Sequence, residues 1–398
     1  MLESHISAFL VGNKLKLLSM RPYKRGHLWE VEKLPQEVAC LRCGSVRTVK
    51  AGKCTSTVRE ESVRTQSLWL KIHKHRIYCK DCKKTFVEPV PGVWPGRRST
   101  QRFRRSVASA CGRMTDLSTV SRFYKVSHGF AYQVYYEQVE TKLRERRDHM
   151  KWPEVLGIDE HFFRRVRGKG TEFVTMLTDV KNRKVFEMAH GKDNALLMEQ
   201  LKEIPGRDKV KVVVMDMSGS YRSFAKKFFP NAVIVADKFH VLRLLTPHIM
   251  RKGKEIHGHR QELRTRRKLL CSRINLDYFV RCEIDSYLKN HDKLDELYRW
   301  KERVYEFYRI KGFSRAMKAF YKMTEQMKLS LSEDIQRLRR TFMRWKNEIL
   351  GYFEKGYTNG FTERMNGTGK LVQRRAFGYK SFRNYRLRTL SACLFKTF

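Results

Sequence analysis

Residues 210–216, Val-Lys-Val-Val-Val-Met-Asp, form a nearly unbroken apolar run that ends in a carboxylate. Such a run is typical of a strand buried on both faces, so Asp216 is expected at the exit of a buried strand. Upstream, residues 155–158 (VLGI) read as another apolar strand, which ends at Asp159. Between them lie candidate strands at 172–178 and 183–189, separated by Asp179-Val-Lys-Asn182, whose Lys-Asn pair suits a tight hairpin turn. Asp193-Asn194 is placed to cap a helix carrying Leu197, Leu201 and Ile204, which Pro205-Gly206 ends. Downstream, 220–229 reads as a helix, and 232–236 (AVIVA) as a fifth strand that delivers Asp237 and then His240. The order is β, β, β, α, β, α, β. With the first and fourth strands adjacent and central, this is the ribonuclease H-like α/β topology, in which both aspartates emerge at neighbouring strand ends.

A third acid belongs to a helix begun by Thr358 or Asn359, on which Asn359, Glu363, Asn366 and Lys370 recur at steps of four, three and four. That spacing puts them on one face. Two amides, a carboxylate and an amine make a poor core face and a good ligand face, because amides orient a carboxylate or phosphate and Lys neutralises one. An ordinary polar surface helix is the alternative. Arg374, Arg375, Lys380, Arg383, Arg386 and Arg388 extend a basic surface beyond it. If Asp159, Asp216 and Glu363 converge, they offer the hard oxygen ligands that two Mg²⁺ (or Mn²⁺) ions need for in-line phosphoryl displacement. Asp159 is expected to bridge the ions, since a first central strand places it between its partners. Glu160 and Asp237 are rival acids, direct ligands or supports behind them, with His240 beside Asp237.

The chain has 398 residues, 84 Lys plus Arg against 41 Asp plus Glu, and a net charge of +43 spread along its length. A folded positive surface implies a polyanionic partner, with nucleic acid the obvious one, rather than a small-molecule substrate. With 41% hydrophobic residues the chain can bury cores, and its length suits two to four domains. Near the N-terminus residues 8–12 form only a five-residue apolar, uncharged stretch and no 18-residue apolar run occurs, so a soluble, unsecreted protein without a membrane span is expected.

Nine cysteines argue against a disulfide scaffold. Four form CxxC knuckles, Cys40-Leu-Arg-Cys43 and Cys79-Lys-Asp-Cys82, able to supply a tetrahedral thiolate shell for structural zinc; a single CxxC can instead be redox-active. Between the knuckles Leu68, Leu70 and Ile72 alternate with Trp69, Lys71 and His73, a strand period, so a zinc ribbon with strand-joined knuckles fits. The Pro- and Gly-rich segment 88–96 marks a boundary. Beyond it Phe103, Val107, Ala110 and Cys111 share a helical face; a second helix starts at Thr115-Asp116 and continues that face with Leu117, Val120, Ser121 and Tyr124. Ser127 caps a third carrying Phe130, Val134, Gln138 and Thr141. This arrangement is a DNA-reading helix-turn-helix or a three-helix spacer with solvated charges. The expected organisation is a zinc ribbon region at 1–96, helix-turn-helix at 97–150, and a catalytic core at 151–240 and 356–398 interrupted by a helical insertion at 241–355. Within the insertion, the basic run 259–268 is either a phosphate contact or a solvated helix face.

These residues together resemble a known family, the ISL-three group of insertion-sequence transposases in the DDE superfamily. The likeness rests on the knuckles, the helix-turn-helix stretch, GIDE at 157–160, VVMDMSGSY at 213–221, ADKFHV at 236–241 and TNGFTERMNGTGK at 358–370, and covers nearly the whole chain. It departs in the long inter-knuckle segment and in Arg364, where such motifs often have Gly. The resemblance implies a catalytic triad of Asp159, Asp216 and Glu363, zinc on Cys40, Cys43, Cys79 and Cys82, and recombination at the terminal inverted repeats of its own element. By analogy it implies a homodimer on DNA, in the bacterial cytoplasm at the nucleoid. A DNA-binding regulator on an inactive core, or a structure-specific nuclease that never joins strands, would share these features.

Overall fold

The computed structural model describes residues 15–34, 36–63, 65–113, 116–168, 170–257 and 263–395. Residues 8–12, Thr115 and residues 259–262 of the basic run lie outside them. The chain divides into two compact units, Met1–Arg146 with Phe395–Phe398, and Arg147–Leu394. Among the described residues no helix is long and apolar enough to cross a membrane.

The first unit begins with the antiparallel pair β1 (Leu15–Tyr23) and β2 (Gly26–Lys33). A long hairpin of β3 (Thr48–Val63) and β4 (Gln66–Cys79) follows, and β4 runs parallel to β2, giving the order β1-β2-β4-β3. The short β5 (Thr85–Val87) pairs with the far end of β4. The alternation read in β4 holds: Leu68, Leu70 and Ile72 are buried with Leu15, Val31 and Val58. The β1–β2 pair was not anticipated. β1 is an edge strand with only Leu15 fully buried, so it carries almost no apolar alternation to read.

Three helices complete the unit. α1 (Gln101–Arg113) buries Phe103, Val107, Ala110 and Cys111, as its periodicity predicted. α2 (Leu117–Tyr124) starts at Asp116, whose Oδ1 accepts from the Thr119 amide at 2.7 Å, and buries Val120 alone of the four expected positions. α3 (His128–Asp148) starts at Ser127, whose Oγ accepts from the Phe130 amide at 3.1 Å. Its apolar stripe is rotated from the expected one. Ala131, Val134, Tyr135, Val139 and Leu143 are buried, whereas Gln138 and Thr141 are not.

In the second unit, β6 (Val155–Val166), β7 (Gly170–Asp179) and β8 (Lys184–His190) form an antiparallel meander. The Asp179 side chain closes its β7–β8 turn by accepting from the Asn182 amide at 3.0 Å. α4 (Asn194–Leu201), capped by Asp193, leads to the wholly buried β9 (Val212–Met215). After α5 (Gly219–Phe228) comes β10 (Val233–Ala236), and β9 and β10 run parallel to β6. The sheet order is β10-β9-β6-β7-β8, so the first and fourth strands of the unit are adjacent, with β6 central. One expectation is corrected. Asp159 is not at a strand exit, because β6 continues to Val166; it lies where the parallel neighbour stops, one residue past the Ile158–Met215 pairing.

The chain then enters helices: α6 (Lys238–Leu242), α7 (Thr246–His257), α8 (Leu263–Leu270), α9 (Tyr278–Leu288), α10 (Asp292–Phe307), α11 (Phe313–Lys328), α12 (Glu333–Arg344) and α13 (Lys346–Lys355). Their apolar faces join the main hydrophobic core of this unit. Gly351 lets α13 lie close to β10, since a Cβ there would stand 3.1 Å from the Ile234 carbonyl oxygen. α14 (Gly360–Arg375) and α15 (Phe382–Leu394) then return to the sheet. α14 can cross β6 because Gly157 has no side chain: a Cβ there would stand 2.2 Å from Thr362 Oγ1 and 2.6 Å from Thr178 Oγ1. These two hydroxyls hydrogen-bond each other at 2.7 Å, pinning the first turn of α14 to β7.

Candidate active site

β9 ends after four apolar residues, so Asp216 stands at the edge of the buried sheet, and β10 places Asp237 beside it. The one-turn step from Asp237 brings His240 back over both acids. His240 Nδ1 lies 2.8 Å from Asp216 Oδ1, 3.1 Å from Asp237 Oδ2 and 3.9 Å from Glu363 Oε1. Hydrogen bonding to Asp216 and then Asp237 raises the imidazole to about 10, so it is an imidazolium at neutral pH. Asp159 belongs to the same cluster. Burial first, and then the Asp216 charge, push its carboxyl up to about 6, while His240 opposes the shift. The structure therefore gathers Asp159, Asp216 and Glu363 from β6, β9 and α14 around one cationic ring, with Asp237 beneath it.

Asp237 is fully buried, and its Oδ1 accepts from the Asn359 backbone amide at 2.8 Å, fixing the start of α14. Asn359 Nδ2 donates to the Ile158 carbonyl at 2.8 Å, which ties that helix start to the residue before Asp159. Asn366 Nδ2 donates to Asp159 Oδ2 at 2.7 Å, and the Glu160 amide donates to Asp159 Oδ1 at 2.8 Å. Asn359 and Asn366 are 0% and 2% exposed. This corrects the expectation that they contact DNA, because both side chains lie inside the protein, Asn366 on Asp159 and Asn359 on the Ile158 carbonyl. Lys370, Arg374 and Arg375 of the same helix are exposed. Glu160 points to the other face of β6, as strand alternation requires, and pairs with Lys192 at 3.3 Å.

Behind Asn366 stand two residues that sequence reading missed. His161 Nδ1 lies 2.8 Å from Asn366 Oδ1, and His161 Nε2 lies 2.6 Å from Tyr385 Oη. Burial holds His161 down to about 4, so the ring is neutral. The carboxylate sets the direction of the chain. Asn366 gives its N–H to Asp159, so its carbonyl accepts from His161 Nδ1–H, and Nε2 accepts from the Tyr385 hydroxyl. Gly369 makes room for this stack, since a Cβ there would stand 2.9 Å from Tyr385 Oη. The sequence signal was His161 two positions after Asp159, on the same side of the strand.

The donor set suits divalent cations. Asp216 Oδ1 is shielded from solvent and faces the His240 ring at 2.8 Å, and Asp216, Asp237 and His240 offer ligand atoms within 4.8 Å of one another. Carboxylates partnered in this way, with a positive centre already between them, fit hard ions with oxygen ligands. In the first unit, Cys40, Cys43, Cys79 and Cys82 likewise lie within 4.8 Å of one another. Cys40 Sγ is 3.6 Å from Cys82 Sγ, and Cys43 Sγ is 3.7 Å from Cys79 Sγ. Four thiolates about 2.3 Å from a tetrahedral zinc stand about 3.8 Å apart, so the cluster fits that ion. The amides of Cys43 and Arg42 draw the Cys40 thiol down to about 6, favouring the thiolate a metal needs.

The sequence profile of the transposase family of the DDE type, ISL-three group, matches residues 156–389, the span that carries the clustered acids. The chain is also similar to the transposase for insertion sequence element IS1001 of Bordetella parapertussis. The two are 23% identical over 361 residues, which cover 86% of this chain and 85% of that one. A shorter likeness, 34% identity over 62 residues, links it to an ATP-dependent protease of Lactococcus lactis subsp. lactis; it covers 16% of this chain and 20% of that protein.

Proposed function

The chain belongs to the ISL-three group of DDE transposases, and from that premise we propose that it binds the terminal inverted repeats of its own insertion sequence and cuts and rejoins DNA there. The observation that carries this reading is the convergence of Asp159, Asp216 and Glu363 around His240. These three carboxylates would hold Mg²⁺ or Mn²⁺, with Asp237 and His240 next to them. Two such ions, when bound, supply activation of the attacking hydroxyl and neutralisation of charge on the leaving oxygen.

The chain's own residues prepare that chemistry. Asn366, the Glu160 amide and the Ile158–Asn359 bond fix the orientation of Asp159 before any substrate arrives. Preset acids avoid reorganisation during reaction. His240 balances the negative charge of the cluster while no other cation is there, which keeps four carboxyl groups together in a partly buried site. Lys370, Arg374 and Arg375, exposed along α14, are placed to neutralise phosphates of a bound strand.

The finer organisation follows the same reading. The catalytic core, ribonuclease H-like, comprises 151–240 and 356–398 with 241–355 inserted; the first 96 residues hold zinc on the four cysteines, and 97–150 act as a helix-turn-helix with α3 in the major groove. Joining two DNA ends calls for two protomers, so the active form is a homodimer on DNA, at work in the bacterial cytoplasm at the nucleoid.

The test is incubation of the protein with duplex carrying the element's terminal repeat, in Mg²⁺ and in EDTA. Cation-dependent cutting followed by joining to a target is expected. Binding without cutting would favour a DNA-binding regulator, and cutting without joining a nuclease.

A further inference from the structure

α14 ends in a closure that glycine ordinarily makes. The Gly378 amide donates to the Gln373 carbonyl at 3.0 Å and the Phe377 amide to the Arg374 carbonyl at 3.1 Å. This paired pattern is the Schellman motif, whose left-handed residue is usually Gly because a Cβ is disfavoured there. Here that residue is Phe377, with φ of 52°. The other non-glycine residues at positive φ among those described are Lys24, Thr65, Lys83, Lys125 and Arg183, all polar. Phe377 is the aromatic exception, and it is 101% exposed.

A phenylalanine in that position stabilises nothing visible in the fold. Its backbone is strained, and its ring stays in water, where burial would normally reward it. Nor is the turn loose. Gln373 Nε2 donates to the Phe163 carbonyl, and Arg164 donates to the Lys380 carbonyl while pairing with Glu172 at 2.7 Å. Tyr379, two residues on, turns inward with its ring 5.3 Å from that of Tyr385. The braces hold Phe377 outward.

The surroundings define what it meets. Exposed Arg374, Arg375 and Lys380 flank the ring, so a polyanion with apolar faces complements it. DNA is such a partner: phosphates answer the cations, and a base presents a π-face. Glu363 lies fourteen residues earlier on the same helix, about 20 Å at 1.5 Å per residue. That is about six base pairs of duplex at 3.4 Å per step, within the stretch of DNA that a strand held at the acids would occupy.

We propose that Phe377 is a base-stacking wedge, its ring packed against an unpaired or unstacked base of the DNA held at α14, with Arg374, Arg375 and Lys380 on the neighbouring phosphates. Apolar side chains inserted at opened base steps are a recurrent way of holding distorted DNA. The proposal rests on DNA being the partner of this site and adds where the helix is distorted and which residue holds the distortion.

The experiment uses the full chain and two duplexes of one sequence carrying the element's terminal repeat. One is fully paired, and the other has a single unpaired 2-aminopurine about six base pairs from the cleavage point. Wild type should bind the second more tightly and quench its fluorescence. Phe377→Ala should lose about five- to hundredfold of that preference, the range of one base–aromatic stack, and Phe377→Trp should retain it. Phe377→Gly should lose the preference too while melting at the wild-type temperature or above. A lower melting temperature for Phe377→Gly would overturn the proposal, because the ring would then be holding the fold. Wild type that binds neither duplex would remove the DNA reading itself. Wild type that binds both equally, or a preference that survives in Phe377→Ala, would remove the wedge alone.

Discussion

Asn366 Nδ2 donates to Asp159 Oδ2 at 2.7 Å across 207 positions of sequence, and the other side of the same amide meets His161 at 2.8 Å. The helix that carries Glu363 therefore also sets the orientation of the acid on the central strand. Asn366→Ala should leave His161 Nδ1 and one Asp159 oxygen unpartnered in a buried place. Such a loss costs about 1–3 kcal/mol of stability, and removal of a partner that orients a metal-binding carboxylate costs about 10- to 100-fold in activity. Thermal melting and DNA cleavage rates measured on the same preparation check both.

Gly157 is a point of close approach between that helix and the sheet. Gly157→Ala would put a methyl group 2.2 Å from Thr362 Oγ1, so α14 must shift. Overpacking of this kind costs about 1–3 kcal/mol. Because Glu363 follows Thr362 directly, cleavage should fall further than the melting temperature alone accounts for. Equal activity in the folded variant would show that the position of α14 is not critical.

Asp159 gives the pH dependence of cation binding. Its carboxyl is raised to about 6, so it is protonated below that value and must release the proton to serve as a ligand. Affinity for Mn²⁺ should therefore rise from pH 5 to pH 7 and flatten above. His240, raised to about 10, stays protonated throughout that interval and adds no step there. Its cation competes for the same carboxylates equally across that interval. Calorimetric titrations in buffers of different ionisation enthalpy read the Asp159 proton, about one released on binding at pH 5 and almost none at pH 8.

The cysteine cluster predicts a metal-dependent fold for the first unit. Cys79 ends β4, so losing its thiolate frees the end of the long hairpin from the first knuckle. Cys79→Ser should lower zinc content from about one ion per chain to near zero and lower the melting temperature of that unit. Zinc-free wild type that melts as before would contradict this.

Much of the catalytic unit could be read because its signals are local. β9 is four apolar residues followed by an acid, and Asp193 caps its helix from the adjacent position. Asp216 and Asp159 were identifiable as acids that end apolar runs and Glu363 by its helical spacing with Asn359, Asn366 and Lys370, and the motifs around them carried the family resemblance. What could not be read depended on tertiary contact. The continuation of β6 past Asp159 follows from pairing with β7, since His161, Arg164 and Arg165 interrupt any apolar run. The Asn359–Glu363–Asn366 stripe showed one face of a helix but not that its two amides would be buried, because burial is decided by Gly157 and Gly369 on either side of the crossing. Tyr385 sits 224 positions from its partner His161, and no spacing rule connects them. The edge strand β1 and the rotated stripe of α3 were missed because one exposes most of its residues and the other buries aromatics on two adjacent rows.

The central claim is that Asp159, Asp216 and Glu363 form one catalytic cluster. Its most direct measurement is cleavage and strand transfer on terminal-repeat DNA in Mg²⁺ by wild type, Asp216→Asn and Glu363→Gln, with DNA binding measured in parallel. The account predicts that wild type cuts and joins, while both variants bind the DNA with unchanged affinity and do neither. Cutting by either variant at the wild-type rate would contradict it.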